Sequence, residues 1–429
     1  MSGDTSHQHR LMIEEAEKPE ISNEKTQTAK RVASLDIFRG LTVAMMILVD
    51  DAGREWQMIG HAPWNGCNLT DFVMPFFLFI VGVAIALALK RIPSPLKAIR
   101  KVILITLKLL FWGLILGYPH ASDKLTYGVY MKKIRWCGIL LRIVLAYLVV
   151  ALLEISTKRA QADDLLSGAP YSSYTIGNVY LAILYGTYVP NWHFTVHNKD
   201  YPDYGKVFTV TCGLRGSLDP PCNAVGYINR KVLGINHMYQ HLAWRRSKVY
   251  APSWCQAPFE PKGVLSSVSS ILTTILGVHL GHVLIHVNSH WIFMGLTFLI
   301  LGIFLHFTNA IPLNKQLYNF NYVCLTAGAA GLVFSVFYIM VDILGFQYLF
   351  LPLEWIGINA MLVFVMAVEG IFVGFINGVV ALFSIYYVLI ITNKSTEHVY
   401  WIQKHIFIRV WHSRRVGIIL YVIFAEILF

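Results

Sequence analysis

Charged residues are scarce in this sequence. Asp, Glu, Lys and Arg make up only 14% of its 429 residues, whereas 56% are apolar and 14% are aromatic. About a quarter of the residues in a water-soluble domain are charged, and a disordered chain has far fewer apolar residues. The composition therefore excludes both classes. It favours a bundle of membrane helices, each of which needs about 20 residues to cross the hydrocarbon layer.

A cleavable signal peptide is also lacking. Residues 1–30 are polar and mixed in charge, without the apolar core that such a peptide needs. We interpret them as a disordered cytoplasmic tail. One transmembrane domain is then expected over residues 31–429.

The charge balance is basic, with 35 Lys and Arg against 24 Asp and Glu. A nucleic-acid-binding protein needs a broad basic face, and an interface for single strands adds exposed aromatic residues; the sequence has no such stretch. We interpret the excess as Lys and Arg at the cytoplasmic ends of helices, in contact with lipid headgroups. Membrane lipid is therefore an expected partner, and nucleic acid is not.

Apolar segments predict an all-α, multi-pass transmembrane helix bundle of about 11 helices. The predicted spans are 35–50, 71–89, 102–118, 136–153, 174–190, 264–287, 291–308, 322–341, 350–370, 371–392 and 416–429. The stretch 350–392 fits either one long helix or two. The loop 90–101 contains five basic residues and no acidic one, so we expect it on the cytoplasmic side. This orientation places 51–70 and one long loop, 191–263, on the lumenal side.

Cysteine is rare, with six residues in the chain. Cys212 and Cys222 flank a stretch of turn-forming residues in the long loop. In an oxidising lumen a disulfide between them would close this stretch, but the sequence leaves open whether the bond forms.

Histidines recur on one predicted helix face, at positions 279, 282, 286 and 290. Such a stripe suits either metal binding or an interfacial position. No carboxylate accompanies it in the sequence, so we expect no metal site.

Ionisable residues inside apolar segments are candidate functional positions, because a charge at mid-membrane costs at least about 2.5–3.5 kcal/mol. Asp36 and Arg39 share one face of the first span and can pair; alternatively, Arg39 binds an anion at the cytoplasmic end of a cavity. Arg142 lies deeper, in the fourth span, and indicates a functional position or a buried pair. Glu369, in the ninth span, raises the same question.

The loop 51–70 is the densest polar stretch between two spans, and it contains His61. Histidine can take and return a proton near neutral pH. Asp71 is the candidate residue to orient it. A loop histidine is also a common bystander, so the pattern by itself does not assign chemistry.

Three stretches resemble the heparan-alpha-glucosaminide N-acetyltransferase family. They are RVASLDIFRGL at 31–41, HAPWNG at 61–66 and DFVMPFFLFIVG at 71–82. The resemblance covers roughly residues 31–370. It is greatest to plant-type members, which lack the large lumenal N-terminal domain of the animal enzyme.

The resemblance implies an enzyme that takes acetyl from cytosolic acetyl-CoA and delivers it across the membrane to the amine of a terminal glucosamine. His61 matches the family's catalytic histidine, as acetyl acceptor or general base. Asn65 is then a candidate to stabilise the developing negative charge, and Arg39 and Arg142 are candidates to bind acetyl-CoA. The location implied is an endomembrane such as the lysosome or vacuole.

The sequence also departs from the family pattern. Leu141 stands where the family often has Gln, Val368 stands where it often has His, and 377–399 does not resemble it. A membrane transporter and a catalytically silent member are the alternatives. The acceptor and the oligomeric state, a homo-oligomer included, are left open.

Overall fold

The computed structural model describes most of the chain between residues 32 and 368. The described residues are 32–52, 56, 58–62, 64–90, 92, 94–116, 138–160, 168–196, 205–238, 257–286 and 290–368. The predictions made for the tail 1–30, for Glu369 and for the spans 371–392 and 416–429 lie outside these residues.

Eleven α-helices, α1 to α11, lie within the described residues. They are Ala33–Ala52, Leu69–Lys90, Pro95–Leu116, Ile139–Ala160, Gly168–Gly186, Ala224–Leu233, Val264–His286, His290–Phe307, Phe320–Phe337, Leu351–Ile358 and Ala360–Val368. Those predicted as spans begin and end within about seven residues of the sequence-based limits. The exception is α6, which lies in the long loop and was not predicted.

Among the described residues, four helices are long and apolar enough to cross a membrane: α2, α4, α7, and α9 together with the π-helical turn Tyr338–Ile343 that continues it. A fifth span is obtained if the bent pair of α10 and α11 is counted as one. Other helices are shorter or more polar; α1, for example, carries Asp36, Arg39, Asp50 and Asp51. The predicted fold class, an all-α multi-pass membrane bundle, is confirmed.

The predicted span 350–370 is interrupted. Helices α10 and α11 meet at a bend of 68°, where Asn359 separates them. The backbone N–H and the side-chain amide of Asn359 both donate to the carbonyl of Trp355. These bonds complete the last turn of α10, and the chain then changes direction.

The described parts of the long loop between α5 and α7, residues 187–196, 205–238 and 257–263, contain secondary structure that the sequence did not predict. Strand β1 (Tyr188–Val189) pairs with β4 (Leu214–Arg215), and β2 (Trp192–Thr195) pairs with β3 (Val207–Val210), both antiparallel. A disulfide joins Cys212 to Cys222. The bond that the sequence left open therefore forms, and it closes the segment between β3 and α6.

Glycines allow helix backbones to touch in the core of the bundle. A side chain on Gly82 of α2 would overlap with the carbonyl of Thr274 in α7, and one on Gly40 of α1 would overlap with the carbonyl of Leu353 in α10. Small residues commonly permit such close approach in membrane proteins. Phe38 of α1 fills the neighbouring space between α1, α2 and α9. Its ring centre lies 5.4 to 6.3 Å from the ring centres of Phe76, Phe334 and Phe337.

One end of the bundle, which we call the outer end, contains the loop after α1, the long loop and the loop between α8 and α9. Trp64 Nε1 donates to the carbonyl of Leu218 at 3.2 Å, and Gly66 N–H donates to the carbonyl of Leu313 at 2.9 Å. These bonds join the three loops over the helix ends.

The opposite, inner end contains the end of α2, the start of α3 and, between them, Ile92 and Ser94; the loop 90–101 is expected in the cytoplasm. Ser34 N–H donates to the Asp342 carboxylate there at 3.3 Å. Helix α1 thus runs from the inner end to the outer end.

The first prediction concerns the contact between α1 and α10. Because a carbonyl of the facing helix occupies the space beside Gly40, Gly40→Ala should force the two helices apart and destabilise the protein by about 1–3 kcal/mol. Thermal unfolding of the detergent-purified protein measures this. Gly138→Ala is the control, because a side chain there meets no atom within 4 Å. Equal unfolding temperatures for both variants would contradict the prediction.

Candidate active site

The Asp71 carboxylate organizes the loop between α1 and α2. It lies in the first turn of α2 and is fully buried. Its Oδ2 accepts from the backbone N–H of Asn68 at 2.9 Å and from that of Ala62 at 3.4 Å. Asn68 in turn donates through its side chain to the carbonyl of Gly60 at 2.9 Å. Free N–H groups and a favourable dipole at the start of a helix suit a carboxylate at this position.

The other carboxylate oxygen binds two cationic or titratable side chains. Asp71 Oδ1 lies 3.1 Å from His61 Nδ1 and 2.7 Å from Lys315 Nζ. Lys315 Nζ also lies 2.7 Å from His61 Nδ1. The three residues form a compact cluster at the outer end, in which 46% of the His61 side chain and 20% of the Lys315 side chain are exposed.

The surroundings of His61 favour a neutral imidazole. Burial lowers its pKa, the hydrogen bond with Asp71 raises it, and the charge of Lys315 lowers it again; the net change is a decrease from the usual 6.5. The ring is therefore neutral at neutral pH, and its one nitrogen without a proton can accept one. The pKa of Lys315 is also lowered by burial, although the contact with Asp71 opposes this.

Hydrogen bonds across two loops hold Lys315 beside His61. Asn314 Oδ1 accepts from the backbone N–H of Leu317 at 2.9 Å, which closes the turn around Lys315. Asn314 Nδ2 donates to Asn65 Oδ1 at 3.1 Å. Asn314 also forms bridges with the backbone of Asn65 and of Gly66, whose φ of 106° suits glycine. The loop that carries Lys315 is thus fixed to the loop that carries His61.

Asn65, the predicted donor for a developing negative charge, lies at the edge of this cluster and is exposed. Its side-chain oxygen is used by Asn314. The backbone N–H of Gly66, a second possible donor at this position, binds the carbonyl of Leu313. Of the two groups, the side-chain amide of Asn65 is thus the better candidate.

Arg142 lies at the outer end, in the first turn of α4, and is 3% exposed. Its Nη2 donates to Ser266 Oγ at 2.8 Å and to the carbonyl of Pro261 at 3.2 Å. Its guanidinium lies 5.5 Å from the ring centre of Tyr318, close to Lys315. The structure therefore places Arg142 among protein partners behind the His61 cluster, and not at the inner end with Arg39.

Arg39 lies at the inner end of α1. It forms the pair with Asp36 that the spacing allows, at 2.9 Å, and its Nη1 is 3.4 Å from the carbonyl of Gly357. It also lines a cavity of about 350 Å³ between α1, α2, α3 and α4. The remaining lining is mostly apolar, with Lys101 and Tyr147 as the other polar side chains. The ion pair with Asp36 is therefore present and Arg39 lines a cavity, while anion binding by Arg39 stays a prediction.

The thiol of Cys67 lies in the same loop as His61. Burial raises the pKa of Cys67 to about 12, so its thiol stays protonated and is a poor nucleophile.

At the inner end, His282 of the predicted histidine stripe lies 2.8 Å from Glu154 of α4. The sequence did not indicate this carboxylate, because it lies 128 positions away in the chain. Among the described residues, no three metal-ligating side chains come together.

The sequence did not identify Lys315 as a site residue. It lies 254 positions from His61, in a short loop whose lysine gives no local signal. Asp50, in the last turn of α1, and Lys262, in the turn before α7, were also missed. Their charges act electrostatically on the His61 site.

The second prediction concerns the effect of Asp71 on His61. Asp71 stabilises the imidazolium, so Asp71→Asn should lower the pKa of His61 further. The rate at which diethyl pyrocarbonate modifies the neutral ring, followed by peptide mass spectrometry, should then reach its midpoint at lower pH. The control is Asp219→Asn, at an exposed position of the long loop. An unchanged or higher midpoint in Asp71→Asn would refute the coupling.

Comparison with known proteins finds two similar relatives of this chain. The chain is 28% identical to the heparan-alpha-glucosaminide N-acetyltransferase of Mus musculus over 372 residues, which cover 80% of this chain and 54% of that protein. It is also 28% identical to the Homo sapiens protein of the same name, over 78% of this chain and 52% of that protein. The chain thus spans about half the length of the curated relatives it matches.

No family model matches the chain. The two relatives nevertheless carry the name of the family that the motifs indicate, and the matched region covers most of the chain. These similarities, together with the membrane helix bundle, support membership of the heparan-alpha-glucosaminide N-acetyltransferase family.

Proposed function

We propose that the protein is a transmembrane N-acetyltransferase that uses acetyl-CoA from the inner side and acetylates the amine of a glucosamine-type sugar on the outer side. The names of the relatives support acetyl transfer at the level of the family. The substrates, the side of each and the roles of the residues below are our proposal.

One observation carries this proposal: a basic cavity residue and a partly exposed histidine lie toward opposite ends of the same helix bundle. Arg39 lies near the inner end of α1, and Asp50, which interacts electrostatically with His61, lies in its last turn. The two are eleven residues apart, which corresponds to about 16 Å of helix rise. The flexible arm of acetyl-CoA is long enough to carry a thioester over such a distance.

The inner cavity suits the donor. Its apolar lining matches the less polar parts of the arm, and Arg39 and Lys101 lie at its margin. Guanidinium groups match phosphate oxygens with two parallel hydrogen bonds. We therefore assign Arg39 to the phosphates of acetyl-CoA, with Lys101 beside it.

The outer cluster suits the chemistry. When Nδ1–H of His61 donates to Asp71, the Nε2 lone pair is free to take a proton from the acceptor amine. The amine nitrogen then bonds to the acetyl carbon as the carbon–sulfur bond breaks, the amine proton goes to Nε2, and the thiolate of CoA leaves. Asn65 would donate to the carbonyl oxygen as negative charge develops on it.

A second route uses the same atoms in two steps. Nε2 attacks the acetyl carbon and forms acetyl-histidine as the carbon–sulfur bond breaks and the thiolate leaves. The amine nitrogen then bonds to the acetyl carbon, the bond from that carbon to Nε2 breaks, and the amine proton goes to Nε2. Both routes need a neutral His61, which the lowered pKa provides. Trapping of an acetyl-histidine with hydroxylamine distinguishes them.

The outer loops are suited to bind the acceptor. Trp64, in the same loop as His61, packs edge-on against Phe259 at 5.7 Å and donates to the long loop. The Cys212–Cys222 disulfide in that loop fits an oxidising compartment. We therefore propose a lumenal acceptor within an endomembrane such as the lysosome or vacuole.

The third prediction tests the role of His61. In vesicles supplied with labelled acetyl-CoA outside and glucosamine inside, His61→Ala should reduce transfer at least about 100-fold, because general base catalysis typically contributes this much or more. His193→Ala is the matched control, since that histidine is exposed on the outer strand β2. Equal transfer by His61→Ala and the parent would remove His61 from the mechanism. Passage of unmodified sugar across the membrane in both would instead favour a transporter.

The fourth prediction tests the role of Arg39. Loss of one charged hydrogen bond costs about 1.5–3 kcal/mol, so Arg39→Gln should raise the KM for acetyl-CoA about tenfold to a hundredfold, with a smaller change in kcat. Arg215→Gln, on the outer strand β4, should leave this KM unchanged. A fall in kcat alone would show that Arg39 does not bind the donor.

A further inference from the structure

Three polar atoms lie within hydrogen-bonding distance of each other at the outer end of the bundle. The distances are 2.7 Å from Lys315 Nζ to His61 Nδ1, 2.7 Å from Lys315 Nζ to Asp71 Oδ1 and 3.1 Å from His61 Nδ1 to Asp71 Oδ1. When the ring is neutral and Lys315 is charged, at most two of these three contacts can be hydrogen bonds at the same time. The reason is that Nδ1 either carries a proton or presents a lone pair, but not both.

The distances favour one of the two arrangements. A proton on Nδ1 would point at Asp71 across the longest contact, and it would leave the Lys315 ammonium 2.7 Å from another donor. A lone pair on Nδ1 instead accepts from Lys315 across one of the two shortest contacts, while Lys315 keeps its bond to Asp71. A salt bridge with a fully buried carboxylate favours the charged lysine that this arrangement needs.

We propose that Lys315 is a positioning residue that sets the tautomer of His61. In the resting site its ammonium occupies the Nδ1 lone pair, so the single ring proton lies on Nε2, which then cannot act as a base. The ring becomes active when Lys315 withdraws from Nδ1, Nδ1 is protonated instead of Nε2, and Asp71 accepts a hydrogen bond from Nδ1–H. The net proton count does not change, because Nε2 gives one proton to solvent and Nδ1 takes one from it.

The tautomer matters for function only if His61 is the base or acetyl acceptor, so this inference rests on the proposed function. It adds a regulatory step to that function. Binding of a substrate group that attracts the Lys315 ammonium would change Nε2 of His61 from a hydrogen-bond donor to a base. The site would then become reactive only when it is occupied, which would limit wasteful hydrolysis of the thioester.

Other charges also act on this cluster. Asp50 of α1 and Lys262 of the turn before α7 act on His61 through space. Cys67 and Arg142 act on Lys315 in the same way. Among the contacts described here, only Lys315 and Asp71 lie within hydrogen-bonding distance of the ring. Lys262 is therefore a matched control, a nearby positive charge that acts on the ring without controlling its tautomer.

The fifth prediction is read by nitrogen NMR of the intact protein labelled on histidine. The chain has 16 histidines, so the His61 signals are identified as those lost in His61→Gln. The parent should carry the ring proton on Nε2. Lys315→Met should move it to Nδ1, Lys315→Arg should keep it on Nε2 because the charge and donors remain, and Lys262→Met should leave it unchanged. A parent ring protonated on Nδ1 would overturn the proposal even if no variant folds.

The pH dependence provides a second measurement. Loss of the Lys315 charge should raise the pKa of His61, so the midpoint of its modification by diethyl pyrocarbonate should move to higher pH in Lys315→Met and not in Lys315→Arg. The acid limb of kcat/KM should move in the same direction. A Lys315→Met midpoint equal to that of the parent would contradict the inference. Because NMR and chemical modification need no turnover, an inactive parent with the expected tautomers would refute the proposed function and leave this inference standing.

Discussion

The burial of the Asp71 carboxylate at the start of α2 is the constraint on which the outer end depends. A buried charge is costly unless it is paired and hydrogen-bonded, and Asp71 meets this need with backbone N–H groups of its own loop and with two side chains, His61 and Lys315. The same interactions close the loop, orient the imidazole and attach the loop between α8 and α9. The packing of the outer end and the proposed chemistry thus depend on one carboxylate.

The rest of the bundle extends this arrangement toward the other side of the membrane. Tyr322 of α9 donates its hydroxyl to the backbone carbonyl of Asp71, and glycines bring α2 into backbone contact with α7. Helix α1 packs in the same way against α10 and presents Arg39 to the inner cavity. These helix contacts fix the distance between the cavity and His61, which the proposed reaction with substrates from two sides requires.

Local patterns were sufficient for much of the fold. The apolar segments predicted most helices. The backbone of a segment in lipid must satisfy its hydrogen bonds internally, which favours a helix, and the side chains that face lipid must form a continuous apolar stretch. The pairs Asp36 with Arg39 and His61 with Asp71 were also predictable, since each lies within ten residues in sequence. Helix α6, the short strands of the long loop and the bend at Asn359 were not, because polar loop residues adopt structure through contacts that single-sequence patterns do not contain.

The sequence by itself determined the membrane bundle, the likeness to an acetyltransferase family and the histidine on which the proposed chemistry depends. Only the tertiary structure decided what surrounds that histidine. Lys315 comes from a loop 244 positions after Asp71, Arg142 belongs to the outer end, and Arg39 both pairs with Asp36 and lines a cavity. The physical reason is that charge and hydrogen bonding act over a few ångströms in space, and residues far apart in the chain reach that distance only when the helices have packed.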